Sequence, residues 1–132
     1  MAAGGARCPA DPALLEWLDN EPAESIWTTA ITVFEVRTGI SLLERGRRRT
    51  QLERSFVQIL DEDLDGRVQV FDQAAAREAG SIASELQRGG NTVEVRDVQI
   101  AGIAAARRAV LATRNVRHFR DSGIRVVNPW DL

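Results

Sequence analysis

With 132 residues, 44% of them hydrophobic and 27% charged, the chain has the size and make-up of one globular domain able to bury a core. Its formal net charge of -2 excludes a global basic field for nucleic acid, though not a local patch, and all 17 basic residues are Arg. One Cys and one His exclude an intramolecular disulfide and make soft-metal chemistry improbable, so any metal would be a hard cation held by carboxylates.

The opening MAAGGARCPADP has no apolar core for a signal peptide, and no stretch is long enough to span a membrane. A cytoplasmic location is therefore expected. Residues 1–10 are small, Gly-rich and aperiodic, and are expected to form a disordered arm ahead of a single domain over 11–132. Asp11 and Pro12 suit the N-cap and first position of a helix carrying Leu14, Leu15 and Leu18.

Residues 25–31 are rich in β-formers and predict a strand. A helix follows. Thr32 is a natural N-cap with Glu35 three residues on, which completes a capping box, and Val33, Val36, Ile40 and Leu43 recur at helical spacing. A second helix is expected over 47–60, with Leu52, Phe56, Ile59 and Leu60 on one face, then an acidic turn over 61–66. Residues 67–71 alternate like a short strand. Asp72 caps a helix bearing Ala75, Ala79, Ile82 and Leu86, which stops at Gly89 and Gly90.

The next helix, from about Val93 to Arg107, is apolar nearly all round, so it is expected to be buried. Its first turn carries Asp97, a carboxylate that needs a cation, a donor or a chemical task in such a place. Residues 109–113 predict a buried strand, a turn runs from Asn115 to Phe119, and residues 123–127 predict the last strand. Strands alternating with helices imply an α/β class with a mainly parallel sheet, in which functional groups gather at the strands' carboxyl ends. Three places meet that rule: Thr32 to Glu35, Asp72, and Thr113 to Asn115.

Glu35 has two readings, a capping-box glutamate bonded back to the Thr32 amide or a metal ligand beyond a strand end. Asp97 is either an acid that favours a helix dipole or half of a two-carboxylate site for Mg²⁺ or Mn²⁺. Thr113 and Asn115 either form an ordinary turn or orient water. Arg45, Arg47, Arg48 and Arg49 are either a solvated helix junction or a phosphate-contacting patch. No Ser or Cys nucleophile pairs visibly with His118. The Gly-rich phosphate loop of a nucleotide-binding domain is absent.

Five segments taken together resemble the PIN domain and, within it, the VapC-type toxin ribonucleases of type II toxin–antitoxin pairs. They are residues 30–40, with Glu35; Val70-Phe71-Asp72; residues 96–104, with Asp97; residues 111–119, with Thr113, Arg114 and Asn115; and Val127-Asn128-Pro129-Trp130. The resemblance implies a three-layer α/β sandwich, its parallel central sheet flanked by helices, with an acidic pocket at the strand ends. It implies Mg²⁺-dependent (or Mn²⁺-dependent) hydrolysis of RNA, with Glu35 and Asp97 as metal-binding acids. The family's fourth acidic position falls at Asn115, and Asp is also common in the family where this chain has His118. Thr113 and Asn115 would place water or phosphate, and Arg45, Arg47, Arg48, Arg49 or Arg114 would hold the RNA backbone. A cognate antitoxin and a homodimer are the implied partners.

One departure stands out. The family begins with an apolar strand ending in Asp, central in its sheet, where this chain has MAAGGARCPA. The expectation is therefore a domain lacking that strand and its carboxylate: either the true start lies upstream, or the chain is a degenerate, non-catalytic module that retains partner binding.

Overall fold

A computed structural model describes residues 2–3, 16, 20, 22, 25–113, 115–119 and 122–127. The expected helix start at Asp11, the Cys8 region, Arg114 and the Asn128-Pro129-Trp130 end lie outside them. Glu16 is helical, and the Asn20 side-chain amide donates to its carbonyl at 3.1 Å.

Five short strands form one sheet in which every pairing is parallel. They are β1 (Ala2–Ala3), β2 (Trp27–Thr29), β3 (Val68–Gln69), β4 (Leu111–Ala112) and β5 (Val126–Val127), in the spatial order β3-β2-β1-β4-β5. The helices are α1 (Ala30–Ser41), α2 (Arg47–Gln58), α3 (Gln73–Arg88), α4 (Val95–Ala106) and the single turn α5 (Val116–Phe119). The α/β class with a parallel sheet is as the alternation of elements implies.

The centre of the sheet corrects the sequence reading. Ala2–Ala3 sit between β2 and β4, with Ala2 opposite Trp27 and Leu111, and Ala3 opposite Thr28 and Ala112. The central position is thus held by two residues of the segment expected to be an arm. Ladder bonds are made by backbone groups, which any non-proline residue supplies, so the lack of an apolar run does not prevent pairing. From β1 the chain order proceeds outward to β2 and β3 on one side and to β4 and β5 on the other. The carboxyl ends of β2 and β4 therefore flank the switch point, where α/β sheets place their sites.

The core is built from β2, β4 and the inner faces of α3 and α4. Ile100, Ile103, Ala104, Leu111 and Ala75 are fully or almost fully buried, with Trp27, Ile82 and Phe119 beside them. The near-continuous apolar character of α4 is explained by this: Val98 and all residues from Ile100 to Ala104 are buried. Helix α3 buries its Ala75, Ala79 and Ile82 stripe in the core, with Ala83 and Leu86 packed beside it.

The two helices approach closely at Gly102. A Cβ built there would stand 2.6 Å from both the Ala75 carbonyl oxygen and the Ala79 Cβ, and 2.9 Å from the Ala79 amide nitrogen. Two of those atoms are backbone, so a methyl group forces the helices apart rather than moving a side chain.

Helix α2 continues into one π-helical turn, Ile59–Asp63, which the sequence pattern did not suggest. The chain then reverses through Asp65 and Gly66, both with positive φ. Among the described residues no helix is long and apolar enough to cross a membrane.

Gly102→Ala is expected to destabilise the protein by about 1–3 kcal/mol, the usual penalty of overpacking a close core contact. Denaturant unfolding measures it, and a variant as stable as the parent would contradict the close approach.

Candidate active site

Helix α1 begins earlier than its sequence suggests. Thr29, extended at φ -111° and ψ 154°, is the N-cap, and its Oγ1 accepts the Thr32 amide at 3.0 Å. The Thr32 hydroxyl lies 2.9 Å from the same oxygen, and both side chains are buried. The Thr32 amide is therefore satisfied from the N-terminal side, and Glu35 falls in the second turn rather than at a capping position. This overturns the capping-box reading of Glu35, whose carboxylate faces Arg96 instead.

Helix α4 is capped by Glu94. Its carboxylate accepts the Asp97 amide at 3.0 Å and the Arg96 amide at 3.4 Å. That capping places Asp97 at the third helical position and Arg96 beside it.

Glu35 and Asp97 converge through these two helix starts. The Arg96 guanidinium lies 3.9 Å from Glu35 and 3.6 Å from Glu94, bridging the beginnings of α1 and α4. On the other side, His118 Nδ1 of α5 stands 3.1 Å from Asp97 Oδ2. The Glu35 and Asp97 side chains are only 17% and 20% exposed, whereas Arg96 and His118 are about half exposed. Each carboxylate is thus in a shallow, partly dry setting, with its nitrogen partner on the water side.

Electrostatics follow from that placement. Burial pushes the Glu35 carboxyl above its ordinary value; Arg96 opposes this, while the charges of Asp97 and Glu94 add to it. Asp97 is likewise raised, by burial first and then by Glu94, with His118 opposing. Glu94 behaves in the opposite way: partial burial raises it, but the Asp97 and Arg96 amides and the Arg96 charge together hold it below the usual carboxylate range. Two raised carboxyls, Glu35 feeling the charge of Asp97, form the environment a divalent cation relieves.

The remaining expected residues are placed unevenly. Thr113 is buried, and its Oγ1 accepts the Asn115 amide at 3.1 Å, which is the ordinary turn. Asn115 is exposed, and among the described residues its side chain makes no hydrogen bond to Glu35 or Asp97. Asp72 caps α3 through the Ala75 amide at 2.9 Å and pairs with Arg107 at 3.4 Å. The amide bond and then Arg107 hold its pKa low, and both tie it to structure. Arg45, Arg47 and Arg48 are exposed at the α1–α2 junction, while Arg49 pairs with Glu53 at 3.2 Å. Arg96, His118 and Glu94 were not singled out by their spacing. The S/T/D/N preference at N-caps hides a capping Glu, and Arg96 and His118 acquire meaning only through contacts between helices distant in sequence.

A family model described as the PIN domain matches residues 9–123. The chain belongs to the PIN-domain family. Among curated relatives of this PIN-domain chain, the VapC ribonuclease Y4jK of Sinorhizobium fredii is 32% identical over 121 residues, covering 92% of this chain and 86% of the relative. Toxin FitB of Neisseria gonorrhoeae is 31% identical over 117 residues, covering 89% and 84%. The solved FitAcB structure from Neisseria gonorrhoeae superimposes with a TM-score of 0.83 at 28% identity, covering all of both chains. More distant neighbours of the same fold are toxin–antitoxin complexes.

The raised carboxyls of this PIN domain have a measurable consequence. The folded protein holds the Glu35 and Asp97 protons more tightly than the unfolded chain does. Their contribution to stability is therefore fully present below the ordinary carboxylate range and is lost as pH rises through the raised values. In metal-free protein, Glu35→Gln and Asp97→Asn are each expected to raise the melting temperature at neutral pH and to give little gain near about pH 4. Thermal melts across that range check it, and neutral-pH destabilisation by both variants would contradict it.

Proposed function

We propose that the chain is the toxin of a type II toxin–antitoxin pair, an endoribonuclease that cleaves RNA phosphodiesters with a divalent metal. The observation that carries the proposal is the meeting of Glu35 and Asp97 as two partly desolvated carboxylates beside the sheet's switch point. The PIN family and the ribonuclease name of a relative that aligns with most of the chain support it.

Glu35 and Asp97 fit a hard cation such as Mg²⁺ or Mn²⁺, because they offer carboxylate oxygens and gain from neutralisation. Such a cation supplies an acidified water and a polarised phosphoryl oxygen. The chain's own residues do the positioning. His118 holds one Asp97 oxygen. Arg96, stretched between Glu35 and Glu94, offers its exposed guanidinium to an RNA phosphate. Thr113 fixes the turn that presents Asn115 for water or phosphate, and Arg45, Arg47, Arg48, Arg49 and Arg114 would hold the backbone. Exposed Phe34 (58%) and Leu42 (81%), in and just after α1, leave apolar surface for an antitoxin or a second copy to cover. The site of action would be the cytoplasm, where RNA and a freshly made antitoxin meet.

A second reading, a non-catalytic module that keeps its partner-binding surface, is favoured by one observation. Among the described residues, no group of three or more His, Cys, Asp or Glu side chains is placed to hold a metal.

RNA cleavage in Mg²⁺ or Mn²⁺, abolished by chelator, separates the readings. Glu35→Gln or Asp97→Asn is expected to lower the rate by at least about 100-fold, since even outer-shell partners of a metal site are worth 10–100-fold. Metal-independent cleavage, or full activity in both variants, defeats the nuclease reading. Absence of calorimetric Mn²⁺ binding together with retained partner binding establishes the second.

A further inference from the structure

A permanently charged side chain stands between two of the acids that start α4 and face the candidate site. Arg96 is the second residue of α4, in the first turn, where the helix dipole favours acids over cations. What holds it there is carboxylate: Glu94 at 3.6 Å and Glu35 at 3.9 Å. The two contacts are unlike. Glu94 is half exposed and fixed at the start of α4 by the Arg96 and Asp97 amides. Glu35 comes from α1 and is only 17% exposed. At 3.9 Å the Glu35 contact is longer than a hydrogen bond, so charge alone holds it. A contact of that kind, made by a half-exposed guanidinium, costs little to break. Asp97 faces an imidazole, that of His118, rather than a guanidinium.

We propose that Arg96 is a tethered competitor for the divalent cation at Glu35: the metal enters by exchanging with the guanidinium, which falls back onto Glu94. The inference rests on the divalent-metal part of the proposed function. Three observations lead there. Arg96 already fills the role of a cation at Glu35, since after burial its charge is the strongest influence on that carboxyl and acts against the rise. A guanidinium has only donors and keeps its charge, so it cannot join a metal's ligands and repels a cation placed beside it. Glu94 gives the displaced group a second carboxylate within 3.6 Å, so the exchange needs a side-chain movement and no shift of a helix. Other roles for Arg96 predict a different sign. A guanidinium that serves only to keep Glu35 ionised would aid the metal, and its loss would weaken binding. One that serves only to hold a phosphate would leave metal affinity unchanged.

The test reads metal affinity without RNA. The metal-free parent, Arg96→Gln and Arg96→Met are each titrated with manganese chloride by calorimetry at about pH 8, well above the carboxylate range, so that protons do not compete. Both variants are expected to bind Mn²⁺ about tenfold more tightly than the parent, a factor worth about 1.4 kcal/mol. Arg96→Lys, which keeps the charge, is expected to stay near the parent. Melting curves without metal verify that each variant is folded, and one folded neutral variant suffices. They also test the contact itself: Arg96→Gln is expected to lower the melting temperature less in a Glu35→Gln background than in the parent. Equal lowering in both backgrounds overturns the proposal, as does equal tightening of Mn²⁺ binding in Arg96→Lys. Tighter Mn²⁺ binding in the neutral variants, with no RNA hydrolysis by the parent in Mg²⁺ or Mn²⁺, supports the exchange and defeats the ribonuclease reading. Cleavage by the parent, with Mn²⁺ affinity unchanged or weaker in the folded neutral variants, overturns the exchange and leaves the ribonuclease reading standing. Absence of Mn²⁺ binding in the parent and in every variant overturns it as well.

Discussion

The structure depends on holding two like charges close together in a partly dry place. Glu35 and Asp97 belong to different helices, and burial raises both while Asp97 adds to the rise at Glu35. Left alone, such a pair disfavours the folded state at neutral pH. The fold tolerates it by setting the Arg96 guanidinium against Glu35 and the His118 imidazole against Asp97, both on the exposed side. These contacts are long or solvent-exposed, so they offset only part of the cost. The divalent cation proposed for these acids would relieve the remainder.

Everything that places the two acids is backbone capping and close helix packing rather than charge. Thr29 ends β2 and starts α1, which turns Glu35 out of a capping position. Glu94 starts α4 and thereby fixes Asp97 in its first turn. The contact at Gly102 lets α4 lie against α3 at backbone distance, and the buried α4 residues carry that helix against the rest of the core. The two-residue β1 sets the switch point by pairing with both β2 and β4.

The partners of the acids show why functional geometry outruns sequence pattern. Arg96 lies one position before Asp97 and faces Glu35 across 61 positions of sequence, a contact visible only once α1 and α4 pack. His118 reads as an exposed turn residue, yet α5 brings it to Asp97. Asp72 met the strand-end rule as well as Glu35 did. It is instead committed to the α3 cap and to Arg107.

By itself the sequence determined the α/β class, the order of the elements from β2 to β4, the burial of α4 and, through the ordered segments around Glu35, Asp97 and Asn115, the family. Those features are local: hydrophobic period, cap chemistry and motif spacing are written within a few residues of where they act. Tertiary structure alone decided that Ala2–Ala3 take the middle of the sheet, that Glu35 is released from capping, and that Arg96 and His118 become the acids' neighbours. Each of these is a competition between distant groups for one amide, one strand edge or one carboxylate. Such competitions are settled by where the packed helices and strands leave those groups, which no short stretch of sequence encodes.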